Sequence, residues 1–433
     1  MAVPRPDPAN GRDRGSADLG DARRPPIGCE QHRGPDRPSF REVREVPLSA
    51  FSVDAIARLA GPQWLVDRRS DAAERFASSS LPSTEEDVWR YSRISELDLD
   101  RLAPTAATAT VEHGDLGRAT IRRADGLDAE ALGELPEVGD ALVWLHHALA
   151  VDPVVVDVPV GVTVPDPIVV RHQGAGAGQA TAARLLVRAG ADSEVRIVEV
   201  FEGGGDGILL PATEITVGPA ARVGYVGAQL LDPASWSVGT LELSVAEQAT
   251  VTAGLAGFGG DYTRTRTDCR LLGRGATGDL VAAYFGDGDQ MLDYRTFQDH
   301  VAPDTTSNLL FKGAVSDRSR SVYTGLIRVG KEARGTNAFQ TNRNIKLSDD
   351  AWAESIPNLM IENNDVHCSH ASAVGPIDEE QRFYLESRGI PTVVAERLIV
   401  AGFFAEVLEQ LPVADLRASL DAAVSSKLRA VLA

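Results

Sequence analysis

Two histidines and a cysteine lie within four residues of the sequence, in the segment Asp365-Val-His-Cys-Ser-His370. Imidazole and thiolate groups are borderline-to-soft ligands that suit iron, zinc and copper. Successive side chains of a strand point to opposite faces, so an extended segment pairs Cys368 with His370 and turns His367 the other way. Two ligands do not close a structural metal site. The spacing predicts half of a site completed by a partner chain, or else one buried and one hydrogen-bonded side chain with no ligand role.

Other cysteines and histidines are weaker candidates for metal ligands. Cys29 and His32 stand within residues 1–44, which are rich in Pro, Gly, Arg and Asp, lack an apolar period and are predicted to be disordered. Two ligands on such a tail cannot close a tetrahedral site. His146 and His147 are adjacent, so their side chains face different ways on a helix or a strand. We therefore expect core or surface histidines there.

The composition limits the classes of function. The chain has 433 residues, a formal net charge of −19 and three widely separated cysteines. The acidic balance argues against nucleic-acid binding, which needs a basic surface to neutralise phosphates. The odd, scattered cysteines imply no disulfide framework and favour a reducing compartment. No apolar run approaches a membrane span. A cytoplasmic protein that binds neither nucleic acid nor membrane is the expectation.

An internal repeat begins after residue 151, with an interval of about 28 residues that lies in the range typical of solenoid repeats. Short β-branched runs there alternate with turns of Gly, Pro, Asp and Ala, and each unit holds two strands. Regular β units without long helices between them predict a parallel β-solenoid, whose stacked units share one core. The same interval predicts that Cys269 is a small buried residue. Two series mark the repeat: Val195, Val223, Val251 and Asp279, and Thr213, Leu241, Cys269 and Phe297.

Helices are predicted on both sides of the solenoid. Residues 51–77 show helical spacing broken at Gly61-Pro62, and the acidic residues at 85–87 are expected to open another helix. After Gly375, helices are predicted at about 392–410 and 413–432. The first of these is too apolar for a lone surface helix and must pack on the solenoid, its neighbours or another chain. The predicted domains are a disordered extension (1–44), a mixed helical region (45–150), the solenoid (151–375) and a helical tail (376–433).

Several polar groups within the solenoid leave alternatives open. Arg264 and Arg266 alternate along one strand face, which is either solvated or faces a partner. The Asn and Thr residues at 336–344 are expected to satisfy turn backbones. A β-helix enzyme acting on polysaccharide is a rival class, and it needs clustered carboxylates on one face. Its plausible set, in a Gly-rich setting that indicates a turn, is Asp287, Asp289 and Asp293.

The segment 365–375, together with 378–390, closely resembles the C-terminal signature of the SufB/SufD family of iron–sulfur cluster assembly proteins. The Cys-Ser-His step resembles the SufD branch, and the His-Glu step typical of SufB is absent. Further matches are Asn308-Leu-Leu-Phe-Lys-Gly313, Gly335-Thr-Asn-Ala-Phe-Gln-Thr-Asn-Arg-Asn344 and, more weakly, residues 86–91. The resemblance covers roughly residues 45–433. Two positions depart from the family pattern: His367 replaces the usual Lys, and Ala371 replaces a Gly.

The resemblance implies a right-handed parallel β-helix with helical segments at both ends. It implies a scaffold that pairs with a SufB-like paralogue near the C-terminal strands and docks a SufC-like ATPase through the C-terminal helices. A nascent iron–sulfur cluster, or iron, would be held transiently at the junction, with His370 implicated and Cys368 close by. The scaffold would not be catalytic, and the sequence has no G-x-x-x-x-G-K-[ST] loop for ATP.

Other functions remain open at this point. The chain could be a SufB-type paralogue that carries the cluster itself. It could be the polysaccharide-acting enzyme considered above. It could also be a structural metal-binding protein that uses Cys368, His370 and His367 alone. The sequence contains no flavin motif, so a flavin in the assembled complex is neither predicted nor excluded.

Overall fold

The computed structural model describes residues 50–107 and 109–432. The predicted disorder of residues 1–44, with the Cys29 and His32 pair, lies outside these ranges. The described residues belong to one compact unit, and the domain boundaries drawn from the sequence remain predictions. No helix in the described ranges is both long and apolar enough to cross a membrane.

The N-terminal region is built from short elements. Ser52 caps the first helix by accepting a hydrogen bond from the Ala55 N–H, and Asp140 caps the third. Helices were predicted on both sides of Gly61-Pro62, and they form there. The elements are α1 (Val53–Ala57), α2 (Gln63–Ala77), α3 (Ala141–Leu149), β1 (Ala103–Pro104), β2 (Ala109–Glu112), β3 (Thr120–Arg122) and 3₁₀ turns at Asp87–Trp89, Ile94–Glu96, Leu99–Arg101, Ala124–Gly126 and Glu130–Leu132.

The prediction that a helix begins at residues 85–87 is wrong. Only one 3₁₀ turn forms at Asp87–Trp89. The backbone leaves helical geometry at Arg90, and Tyr91 has a φ of 65°, in the left-handed region. Trp89 is buried beneath the guanidinium of Arg264, 4.1 Å from its ring centroid. Tertiary packing of the indole therefore overrides the local helical signal.

Within the described ranges, sixteen strands, two to a coil, wind into a parallel solenoid of eight coils. This confirms the predicted fold class of a mainly β chain with flanking helices. The strands are β4 (Val154–Val158), β5 (Ile168–Gln173), β6 (Gln179–Ala189), β7 (Glu194–Gly203), β8 (Ile208–Val217), β9 (Arg222–Leu231), β10 (Trp236–Val245), β11 (Thr250–Gly257), β12 (Tyr262–Leu271), β13 (Thr277–Gly286), β14 (Met291–His300), β15 (Thr306–Val315), β16 (Arg320–Val329), β17 (Thr336–Lys346), β18 (Trp352–Ile361) and β19 (Val366–Pro376).

From β4 onward, the even-numbered strands form one sheet and the odd-numbered strands form the other. One sheet runs in the order β18-β16-β14-β12-β10-β8-β6-β4-β3, with β1 beside β6. The other runs β19-β17-β15-β13-β11-β9-β7-β5-β2. The pairs β2–β5 and β3–β4 are antiparallel and lie at the N-terminal end, whereas the pairs between solenoid strands are parallel. Antiparallel strands thus cover the N-terminal end of the solenoid, whereas β18 and β19 end the two sheets at the C-terminal end.

The register is less regular than the repeat predicted from the sequence. Val195, Val223 and Val251 stack as predicted, but Val251 pairs with Gly278 rather than Asp279. Leu241 pairs with Thr267 rather than Cys269, and Cys269 pairs with Leu243 and Gln298. The error for Cys269 is an even number of positions, which preserves its strand face. Cys269 is fully buried, as predicted, and burial raises the pKa of its thiol to about 12.

Helices cover the outer faces of both sheets. The N-terminal helices pack on the first sheet. The C-terminal helices α4 (Glu379–Glu386), α5 (Thr392–Leu408) and α6 (Ala414–Val431) follow β19, and α5 and α6 pack on the second sheet. Phe404 stacks on Phe285 with ring centroids 6.1 Å apart, and Val424 joins the same cluster. Of the alternatives predicted for the apolar helix at about 392–410, packing on the solenoid and on a neighbouring helix are therefore confirmed.

Tyrosines fill the solenoid interior opposite glycines. The hydroxyl of Tyr284 donates a 2.9 Å hydrogen bond to Asn344 and accepts one of 3.0 Å from Asn342. Both asparagines are buried within β17, so the expectation that they satisfy turn backbones is wrong. A Cβ at Gly313 would overlap the Tyr284 ring and the Asn344 carboxamide. A glycine at position 313 therefore lets the backbone of β15 lie against the Tyr284 ring.

Replacing Gly313 with Ala is expected to destabilise the chain by about 1–3 kcal/mol, because an added methyl group forces tyrosine and backbone apart. Urea unfolding followed by circular dichroism measures the change. Gly375→Ala is the matched control, since no atom beyond its chain neighbours lies within 4 Å of its Cβ position. Equal unfolding midpoints for the two variants would contradict the close packing described here.

Candidate functional site

The C-terminal end of the solenoid exposes two open sheet edges. β18 and β19 each end their sheet, and no strand in the described part of the chain pairs with their outer edges. Apolar side chains are exposed there, including Met360, which is 50% exposed. The others are Phe339, Leu359, Ile361 and Val374. Free backbone donors and acceptors beside apolar side chains form a template for a further strand or chain.

Cys368 and His370 lie on this last strand and face the solenoid interior. β19 pairs in register with β17, which places Cys368 opposite Ala338 and His370 opposite Gln340. Ala338 and Gln340 are buried, and Cys368 packs against the apolar cluster that contains Ala338. His370 itself is exposed because no further coil covers it. The predicted alternation is therefore present in the strand.

His367 points the other way, as expected for its place in the alternation. It pairs with Asn337 on the outer face and is exposed. A single ion bound between Cys368 and His370 would thus lie on the face opposite His367. The alternative that all three residues serve one metal site does not fit this geometry.

The Cys368 thiol favours its protonated form. Burial raises its pKa above the ordinary value, and a backbone hydrogen bond with Ala338 opposes this only in part. Metal binding requires the thiolate, so coordination by Cys368 would release a proton. In the described ranges, no three His, Cys, Asp or Glu side chains are grouped to hold a metal ion. Among the described residues, Cys368 and His370 are therefore two candidate ligands without a third beside them.

The structure places the histidine pair in the core. His146 and His147 are buried with ring centroids 5.1 Å apart, so the adjacent rings contact each other. His146 Nδ1 donates a 2.7 Å hydrogen bond to the Leu210 carbonyl, which fixes the imidazole tautomer. Burial, together with the charge of Arg184, lowers the pKa of His146 to about 3. This imidazole is neutral at physiological pH.

The three carboxylates considered for polysaccharide chemistry are each paired with a cation. Asp287 accepts from Lys427, and Asp289 accepts from Arg318 at the surface. Asp293 is fully buried and is not in a turn, contrary to the expectation. A glycosidase needs one protonated and one ionised carboxyl group facing a common cleft. These three aspartates do not form such a pair.

Asp293 organises a buried network that the sequence did not indicate. Arg264 and Arg295 bind its two carboxylate oxygens at 2.6 and 2.8 Å, and the Tyr262 hydroxyl donates at 3.2 Å. Arg264 is therefore neither solvated nor facing a partner, and both expectations for it are wrong. Arg266 is exposed and pairs with Asp268.

Gln340 is the residue near the pair that sequence reasoning did not single out. It lies between the Asn and Thr residues that were expected to serve turns, and the structure buries it in the solenoid interior beside His370. A signal was present in the sequence: Ala338, Gln340, Asn342 and Asn344 follow the two-residue period of one strand face. Those positions share the face of Cys368 and His370.

Known proteins are similar to this chain in sequence over most of its length. Residues 170–403 match the family model described as the SufBD core domain of SUF system FeS cluster assembly. An iron–sulfur cluster assembly SufBD family protein of Mycobacterium tuberculosis is 33% identical over 82% of this chain and 92% of its own length. The iron–sulfur cluster assembly protein SufD of Escherichia coli is 26% identical over 82% of this chain and 91% of its own. The SufD of Bacillus subtilis is 32% identical over 39% of this chain and 38% of its own. The chain belongs to the SufB/SufD family of iron–sulfur cluster assembly proteins.

Proposed function

We propose that this chain is the SufD-type scaffold of a cluster-assembly complex, in which it does no catalysis of its own. It pairs with a SufB-like paralogue end to end, through β18 and β19. Cys368 and His370 supply part of the ligand set for a nascent iron–sulfur cluster, and the paralogue supplies the rest. The observation that carries the proposal is the position of these two side chains: they face inward on β19, whose outer edge pairs with no strand in the described part of the chain.

The chemistry of the two donors suits this cargo. Thiolate and imidazole both bind iron, and iron–sulfur clusters use cysteine with histidine as an occasional replacement. Because this chain supplies only part of the ligand set, the cluster is held incompletely, which suits a cluster that is later transferred to another protein. Anaerobic reconstitution of the complex with His370→Ala tests the proposal.

The C-terminal helices offer a second contact surface, which we assign to a SufC-like ATPase. Phe383 on α4 is 71% exposed, and Leu398 on α5 is 51% exposed. Tyr384, Val393 and Val394 are exposed beside them. Exposed apolar side chains grouped on neighbouring helices are typical of a protein contact.

Helix α5 is bonded to the solenoid at Lys312, and the strand register leads from there to β19. Lys312 on β15 is buried, and its ammonium group binds Glu406 and donates 2.9 Å to the Phe403 carbonyl on α5. Through the strand register, Lys312 pairs with Arg343, which pairs with Ala373 on β19. Movement of the helices by an ATPase would thereby reach the strand that carries His370 and open the junction to iron and sulfide.

Replacing Leu398 with Glu is expected to weaken binding of the ATPase subunit at least about tenfold, since a charge would be buried in an apolar contact. Isothermal titration of the purified ATPase measures the affinity. A point substitution is preferable to deletion of the tail, because α5 and α6 cover the solenoid's own apolar surface.

Val160→Glu is the control for the added charge. Val160 is 65% exposed and lies between β4 and β5, at the N-terminal end of the solenoid. This variant should bind the ATPase as the unaltered chain does. Undiminished binding of Leu398→Glu would remove this surface from the proposal and leave the ligand pair untouched.

A further inference from the structure

Gln340 is a buried carboxamide whose polar atoms are both unused. It is 2% exposed, and neither its oxygen nor its nitrogen has a hydrogen-bond partner in the described part of the chain. Nearly all buried polar groups in proteins are hydrogen-bonded, since an unpaired one loses its hydration without replacement. A methionine or leucine would fill the same space without this penalty. The amide therefore calls for an explanation beyond packing.

The surroundings of Gln340 direct it toward the ligand pair. Its immediate neighbour in β19 is His370, and Cys368 stands two residues away on the same face. On another side lies Gly325, where a Cβ would meet the Gln340 amide and the Tyr323 hydroxyl. That hydroxyl is already bonded to Thr296 at 2.9 Å. Gln340 lies between Leu309 and His370 in register. Among the described residues, His370 is thus the neighbouring polar side chain whose ring nitrogens form no hydrogen bond.

Gln298 is a second buried glutamine, and it serves as a comparison for Gln340. Gln298 on β14 is also buried, and both of its polar atoms are unpartnered among the described residues. Its neighbours in register are Cys269 on β12 and Ile327 on β16, and neither of these strands is an edge strand. The two glutamines share burial and missing bonds, but only Gln340 adjoins a candidate ligand.

We propose that Gln340 is a positioning residue for His370. When His370 binds a metal ion in the assembled complex, the carboxamide oxygen of Gln340 accepts the N–H of one imidazole nitrogen, and this directs the lone pair of the other nitrogen to the ion. Histidines that bind metals commonly donate their second nitrogen to an acceptor in this way, which fixes both tautomer and ring orientation. The inference rests on the proposed function, because it takes His370 to be a ligand.

Gln340→Met in the assembled complex tests the inference, with Zn²⁺ as the probe. Methionine keeps the length and volume of glutamine but cannot accept the bond. The Kd for Zn²⁺, measured by competition with a chromogenic chelator, is expected to rise about tenfold, as for other losses of a partner behind a metal ligand. Nitrogen chemical shifts of His370 with bound Zn²⁺ should show one tautomer in the unaltered protein and a mixture in the variant.

Gln298→Met is the matched control, and it should leave both measurements unchanged. Both variants remove an unsatisfied amide, so neither should lower the unfolding midpoint. An unchanged Kd and a single tautomer in Gln340→Met, with Zn²⁺ binding impaired in His370→Ala, would overturn this inference alone. Full Zn²⁺ binding and cluster formation in His370→Ala would overturn the proposed function, and the inference with it.

Discussion

Replacing His370 with Ala is expected to lower the rate and yield of cluster formation by at least about tenfold. The imidazole faces the solenoid interior at an edge that lacks a neighbouring strand among the described residues. Loss of a group behind a metal ligand already costs about 10- to 100-fold, and loss of the ligand itself should cost no less. The measurement is anaerobic reconstitution of the complete complex with iron, a sulfur source and ATP, followed by visible absorption.

His367→Ala is the matched control for this experiment. It removes an imidazole from the same strand, three residues away, but on the opposite face. It should therefore assemble clusters at the normal rate. If His370→Ala assembles clusters normally, His370 has no essential role. If His367→Ala is impaired equally, the effect belongs to the strand as a whole and not to the inward face.

The local pattern of the sequence was sufficient to predict the pairing of the two donors. Strand alternation depends only on neighbours, so it puts Cys368 and His370 on one face whatever lies around them. The repeat also predicted the solenoid, because each coil contributes similar side chains to a shared interior. Relative to Leu241, the register of Cys269 differs from the prediction by two positions, and an even shift preserves the face, so Cys269 is still inside.

Contacts between distant parts of the chain could not be predicted in the same way. Arg264 lies on an outward strand face, which the sequence predicted to be solvated or to face a partner, yet the N-terminal region covers it and Trp89 packs on its guanidinium. The neighbour of Gln340 in the next coil could not be predicted either, because the coils differ in length. The coil from Leu241 to Thr267 is shorter than the coil from Val329 to Ile361. Without the register, no sequence pattern shows which side chain stands beside His370.

The buried arginines of the solenoid attach the N-terminal region to it. Arg264 and Arg295 bind Asp293 on the solenoid while also donating to the Val88 and Arg90 carbonyls, respectively. One buried carboxylate thus orders two guanidinium groups that anchor the segment around Trp89. An ion pair in this position is costly to desolvate, and its value appears chiefly when one member is lost.

Replacing Asp293 with Asn is expected to destabilise the chain by about 3–5 kcal/mol, because it leaves two buried guanidinium groups without a counter-charge. Urea unfolding gives the change in free energy, and hydrogen exchange should show faster opening of the segment around residues 87–91. Asp289→Asn is the control, since its bond to Arg318 lies at the surface, where water screens it, and no measurable loss is expected. Equal stability of the two variants would mean that the buried carboxylate does not hold the N-terminal region, and the helices there would have to be retained by apolar packing alone.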